Sequence, residues 1–122
     1  MNKKFYITTP IYYPSAKPHM GHAYSSIIAD FFARFKKIDD HDVHFLTGTD
    51  EHGLKIQRTA EKQGVDTLEF CNQISQTFRD LSKTLNLTNT DFIRTTEKRH
   101  KKTVQHLWNE LEKNDDIYLS KY

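Results

Sequence analysis

The alternation of apolar and polar positions changes period twice in the first fifty residues. Residues 5–9, FYITT, mix aromatic, β-branched and threonine side chains, which predicts a strand. Residues 10–18 hold all three prolines of the chain and read as a loop. Lys17 precedes Pro18 and is pushed out of the helical region. From about Gly21 the period becomes helical. Tyr24, Ile27, Ile28, Phe31, Phe32 and Phe35 recur on one broad apolar face, the expected core-facing side of a helix running to about Lys37. Lys36 and Lys37 suit the negative end of its dipole. The run IDDHD is a turn, and residues 43–47 predict a second strand. Strand, helix and strand within about 45 residues have the length of a right-handed crossover between parallel strands.

The pattern continues in short units. Gly48 and Gly53 bracket a polar loop, GTDEHG. A helix over about 54–62 should stop at Gly64, and Asp66 or Thr67 should cap the next one, with Ile74, Phe78, Leu81 and Leu85 on its apolar face. FIRTT reads as a short strand. A last helix over about 97–113 is expected to bury Val104, Leu107, Trp108 and Leu111, and IYLSKY to close the chain as a strand. The expected class is therefore α/β, with a parallel sheet.

Composition narrows the function classes. With 122 residues, 36% hydrophobic and 28% charged, the chain suits one soluble domain. No apolar run approaches the ~18 residues of a membrane span, and no secretory signal is visible. A net charge of +2 is too small to argue for nucleic acid. A single cysteine, Cys71, excludes an internal disulfide and a multi-cysteine zinc site within these residues, and is expected to be a buried, inert thiol. A cytoplasmic location fits this cysteine usage.

The chemistry-bearing stretch is KPHMGH, residues 17–22. In an open parallel sheet, ligands sit beyond the carboxyl ends of the strands. The loops 10–22 and 48–53 both leave such ends and should lie side by side. His19 and His22 fall at the mouth of a helix, where free backbone N–H groups and the dipole favour an anion. Each imidazole can add a donor, and a charge when protonated. Gly21 lets a flat ring or a phosphate approach the backbone. A nucleotide triphosphate suits such a place. A solvated or structural histidine pair, and a metal site completed by Asp50 or His52, stay open alongside it.

Longer stretches carry a resemblance. ITTPIYYPSAKPHMGHAYSSIIADFFARFKKI, then DVHFLTGTDEHGLKIQRTAEKQG, resembles the start of the methionyl-tRNA synthetases, a class I aminoacyl-tRNA synthetase family. HMGH stands where that class carries its HIGH signature. TGTDEHG is similar to the family's second-strand loop, and FIRTT and DIYLSKY extend the likeness through almost all of the chain.

The resemblance implies the first half of a Rossmann-like nucleotide-binding catalytic domain over residues 1–122, truncated before the connective insertion. It implies a methionine–tRNA ligase: ATP with Mg²⁺ activates methionine to methionyl-adenylate, and the methionyl group passes to tRNA(Met). His19 and His22 would contact the phosphates in catalysis, and with Gly21 they would form the ATP site. Asp50 would take the methionine ammonium, with Tyr13 and backbone at Ile11 lining the amino-acid pocket. Glu51 and His52 receive no catalytic role, and no metal ligand is assigned. EKRHKK, residues 97–102, reads as a solvated helix start rather than a tRNA contact. The family's KMSKS-like lysine loop is absent from these residues, so the chain is expected to be an incomplete fragment, inactive alone. A non-catalytic short paralogue and another H-x-G-H nucleotidyltransferase are the competing readings.

Overall fold

A computed structural model describes residues 3–121. Its centre is a parallel sheet of β1 (Lys3–Thr8), β2 (His41–Thr49) and β3 (Asp91–Arg94), in that spatial order. Lys3 pairs with His41 and Thr8 with Leu46; Leu46 in turn pairs with Asp91, and Thr49 with Arg94. Phe5 and Ile7 of β1 turn inward, while Lys4, Tyr6 and Thr8 stay exposed. Val43, Phe45 and Thr47 of β2 are buried, while Asp42 and His44 are exposed. The matched alternation shows a sheet covered on one face and largely open on the other among the described residues. On the open face Tyr6 stacks on His44, with ring centroids 5.4 Å apart.

Helix α1 (Met20–Ile38) lies on the covered face, but with the opposite stripe inward from the one expected. Ala23, Ser26, Ala29, Asp30 and Ala33 are buried, and Ala29 and Ala33 pack on Val43 and Phe45. Tyr24, Ile27, Ile28, Phe31, Phe32 and Phe35 are all exposed. Small side chains let the helix lie close to the strands, and close packing selects that stripe. Amphipathic pattern alone marks the large residues and cannot say which partner meets them. Asp30 adds a polar tie. It accepts from the Thr88 N–H and hydroxyl, both at 2.6 Å, and from Arg34 Nε at 2.6 Å.

Helix α2 (Leu54–Gln63) ends on Gly64, which adopts the left-handed conformation at φ 66°. Helix α3 (Thr67–Thr84) is capped by Asp66, whose carboxylate accepts from the Leu68 and Glu69 amides. Ile56, Ala60, Phe70 and Cys71 form one cluster between these helices, and Tyr12, Phe78 and Phe92 another. Cys71 is buried as expected, and burial pushes its thiol pKa up. Helix α4 (Lys98–Lys113) is anchored at its start, where Arg99 donates to both Asp91 carboxylate oxygens at 2.6 and 2.9 Å.

Two expectations fail at this end. Helix α4 has no buried residue; Val104, Leu107 and Trp108 are exposed, and Leu111 is half-buried. No other described element packs on its apolar stripe. Residues 117–121 form no strand, because they pair with no edge of the sheet, and Tyr122 lies outside the described residues. Among the described residues, no helix is long and apolar enough to cross a membrane.

Candidate functional site

The site is assembled by the backbone beyond β1 and β2. After β1 the chain stays beside β2 instead of turning away. The Thr9 N–H donates to Leu46 O, Tyr12 N–H to Gly48 O, and Asp50 N–H to Tyr12 O at 2.8 Å. Tyr12 and Thr49 form a parallel bridge. On its other edge Gly48 lets β3 approach closely, since a Cβ there would stand 2.0 Å from the carbonyl oxygen of Ile93. The two loops therefore lie side by side, which places Ile11 and Tyr13 along the strand end that carries Asp50.

Tyr12 joins this platform to the helix. Its ring is buried and stacks on Phe78. Its hydroxyl reaches Ser26 Oγ at 2.7 Å and donates to His22 O at 3.2 Å. One tyrosine thus holds the Asp50 amide with its carbonyl and the start of α1 with its hydroxyl.

The two histidines cap that helix. His19 is the N-cap, and its Nδ1 accepts from the Gly21 N–H at 3.1 Å. His22 reaches back, and its Nδ1 accepts from the His19 N–H at 3.0 Å. This is the reciprocal arrangement usually built from serine and glutamate. With both Nδ1 atoms accepting, each neutral ring carries its proton on Nε2. The ring centroids are 3.8 Å apart. Burial, and then repulsion from His19, hold His22 below the usual histidine pKa.

One expectation changes here. The Gly21, His22 and Ala23 amides already donate to His19. The helix mouth therefore offers imidazole N–H donors more than free backbone amides. Gly21 is matched to the cap, since a Cβ there would lie 2.9 Å from His19 Cε1.

On the other side of Tyr12, the Asp50 carboxylate is half-buried and takes no hydrogen bond or ion pair among the described residues. Tyr13 is half-buried against the Ile56 cluster, with its hydroxyl 2.2 Å from where a Gly53 Cβ would be. The Ile11 side chain is exposed. Among the described residues, no three His, Cys, Asp or Glu side chains are grouped to hold a metal ion.

Sequence reasoning missed the support beneath Asp50. Glu51 is only 4% exposed. It accepts from Arg94 Nε at 2.6 Å and Nη2 at 3.0 Å, from Thr49 Oγ1 at 2.8 Å, and from the Thr96 hydroxyl. Burial raises its pKa, but the hydrogen bonds from Arg94, Thr96 and Thr49 outweigh that and leave the carboxyl below its ordinary value. A usable signal was present: an arginine inside a short strand at a sheet edge needs a partner when it is covered. His52 Nδ1 sits 3.0 Å from Thr95 Oγ1, and beside it a cavity of about 320 Å³ is lined by His100, Lys101 and Val104.

The comparisons with known proteins meet this geometry. The family described as tRNA synthetases class I (M) matches residues 5–122. The chain belongs to that family. It is 52% identical over 121 residues to the mitochondrial methionine–tRNA ligase of Takifugu rubripes, a match covering 99% of the chain and 20% of that protein. It is 50% identical over 121 residues to the methionine–tRNA ligase of Bacillus subtilis, covering 99% of the chain and 18% of the ligase.

Among solved structures, the Mycobacterium tuberculosis methionyl-tRNA synthetase bound by methionyl-adenylate superposes with a TM-score of 0.95. The identity is 46%, over 98% of this chain and 24% of the synthetase. The three-stranded sheet is thus the Rossmann-like α/β fold of the class I synthetases. The chain spans about a fifth of the length of the curated methionine–tRNA ligases it matches.

Proposed function

We propose that these residues form the part of a methionine–tRNA ligase catalytic domain that receives the ATP phosphates and the methionine ammonium. The observation that carries this reading is the pairing, through Tyr12, of two capped imidazoles with one unpartnered carboxylate. ATP, accompanied by Mg²⁺ as part of the substrate complex, lies with its phosphates toward the Nε2–H groups of His19 and His22. The adenine end lies against the helix start at Gly21.

Methionine places its ammonium on Asp50, with Tyr13 and the backbone at Ile11 along its side chain. A carboxylate oxygen of methionine attacks the α-phosphorus, the bond to the bridging oxygen breaks, and pyrophosphate leaves. Negative charge on the phosphoryl oxygens grows as the reaction proceeds, and donors already fixed by the helix cap stabilise it without reorganising.

The methionyl group then passes to tRNA(Met). The chain spans about a fifth of the length of the ligases it matches, so the reaction belongs to the complete gene product that carries these residues. The proposed compartment is the cytoplasm; one close relative is named as mitochondrial.

Methionine-dependent ATP–pyrophosphate exchange by the complete gene product that carries these residues tests the reading. Exchange is expected with methionine, and its loss is expected in His19→Ala and Asp50→Ala. Exchange with another amino acid only, or with none, would overturn it.

A further inference from the structure

We propose that Glu51 is a positioning residue for the amino-acid ammonium, and that its buried ion pair with Arg94 fixes the backbone on which Asp50 stands. The proposal rests on the ligase reading above. Asp50 and Glu51 are adjacent acids in opposite situations. The Asp50 carboxylate takes no partner among the described residues, and only its N–H is held, by Tyr12 O at 2.8 Å. Every polar group of Glu51 is held. Its N–H donates to Thr95 Oγ1 at 2.8 Å, and its carbonyl accepts from Cys71 Sγ at 3.8 Å. Its carboxylate takes four donors from Thr49, Arg94 and Thr96. The Glu51 side chain is 0% exposed and that of Arg94 19%. Arg94 is itself held by Asn72 Oδ1 at 2.7 Å.

Stability is a weak reason for such a pair. Desolvating two charges costs about as much as their attraction returns, and a well-packed apolar pair often serves as well. What the pair supplies is geometry and charge balance. It locks the residue after Asp50 to β3, so that β2, β3 and α3 together hold the loop. It also neutralises Arg94. Without Glu51 that guanidinium would stand unpaired beneath the loop and oppose a substrate ammonium. Both effects act on methionine and neither acts on ATP, whose donors sit across Tyr12 on α1.

The test uses the complete gene product and steady-state pyrophosphate exchange. Glu51→Gln keeps the shape and removes the charge. It should raise KM for methionine about tenfold or more while KM for ATP stays within about twofold. Thr96→Val, which removes one donor and leaves the ion pair, should raise KM for methionine by about threefold, again without moving KM for ATP.

A merely structural role lowers the melting temperature and the amount of active enzyme and leaves both KM values in place. That result would overturn the proposal, as would a parallel rise in both KM values. If Glu51→Gln does not fold, Thr96→Val decides alone, and an unchanged KM for methionine sinks the idea. If the unsubstituted enzyme shows no methionine-dependent exchange, the ligase reading fails and the proposal falls with it. Exchange without the KM split defeats the proposal only.

Discussion

Helices α1 and α3 are nearly equal in length, 19 and 18 residues, yet they bury opposite kinds of side chain. Helix α3 turns Phe70 and Phe78 into the core, as its periodicity suggests. Helix α1 turns in alanine, serine and an aspartate, and leaves a run of phenylalanines and isoleucines outside. Amphipathic spacing identifies an apolar stripe. It does not say whether the elements at hand are what that stripe meets. Here the sheet takes the small stripe of α1, because that is the side on which backbone can approach backbone. An apolar surface of this kind is unusual on a finished monomer.

The largest expected effect separates the two helices directly. Phe78 is 2% exposed and Phe31 is 64% exposed. Phe78→Ala should destabilise the chain by about 3–5 kcal/mol in urea unfolding, whereas Phe31→Ala should stay within about 0.5 kcal/mol. Equal costs would break the comparison, for they would mean that the outer face of α1 is covered.

A smaller effect tests the close approach itself. Ala33 is 0% exposed against β2. Ala33→Leu should cost about 1–3 kcal/mol by forcing α1 off the sheet, although it makes the helix more apolar. A stabilising result would show that the small stripe is not tightly packed.

The smallest effect concerns charge on that same stripe. Burial raises the Asp30 pKa, but hydrogen bonds from Arg34 and Thr88 outweigh it and leave the carboxyl below its ordinary value. Its contribution is therefore complete above the unfolded value of about 4 and is lost as pH falls through the lower folded value. Acid should lower amide-exchange protection in α1 before it does so in α3. Asp30→Asn, expected to cost about 1 kcal/mol at neutral pH, should remove most of that difference. Protection that falls equally in both helices at every pH would contradict the assignment.

Local chemistry explains what was legible in advance. The strand at 5–9, the helix at 21–37 and the stop at Gly64 depend on neighbours a few residues away, and the structure places elements at Lys3–Thr8, Met20–Ile38 and Leu54–Gln63. Asp66 caps α3 for the same reason. The failures depend on distant partners. Trp108 and Leu107 have helical spacing, but no described element covers them. Residues 117–121 have strand-like composition, but they pair with neither edge of the sheet.

The site divides along the same line. The spacing of His19 and His22 marks a helix mouth, while the engagement of both Nδ1 atoms with backbone does not show in a string of letters. Glu51 finds Arg94 43 residues away, and only the fold reveals that pair.

The sheet's connectivity has a consequence for how the chain is made. No strand is joined to its neighbour by a hairpin. Thr9 meets Thr47 38 residues on, and the Phe45 amide meets the Thr90 hydroxyl 45 residues on. Each pairing must close a long loop before any contact rewards it, which slows folding relative to a helical bundle of this size. On a translating ribosome β1 can find β2 well before β3 exists. During that interval Glu51 has no arginine, and the loop carrying Asp50 has nothing to lock onto. The amino-acid end of the site becomes rigid only after Arg94 has left the exit tunnel, so it is completed later in synthesis than the histidine cap.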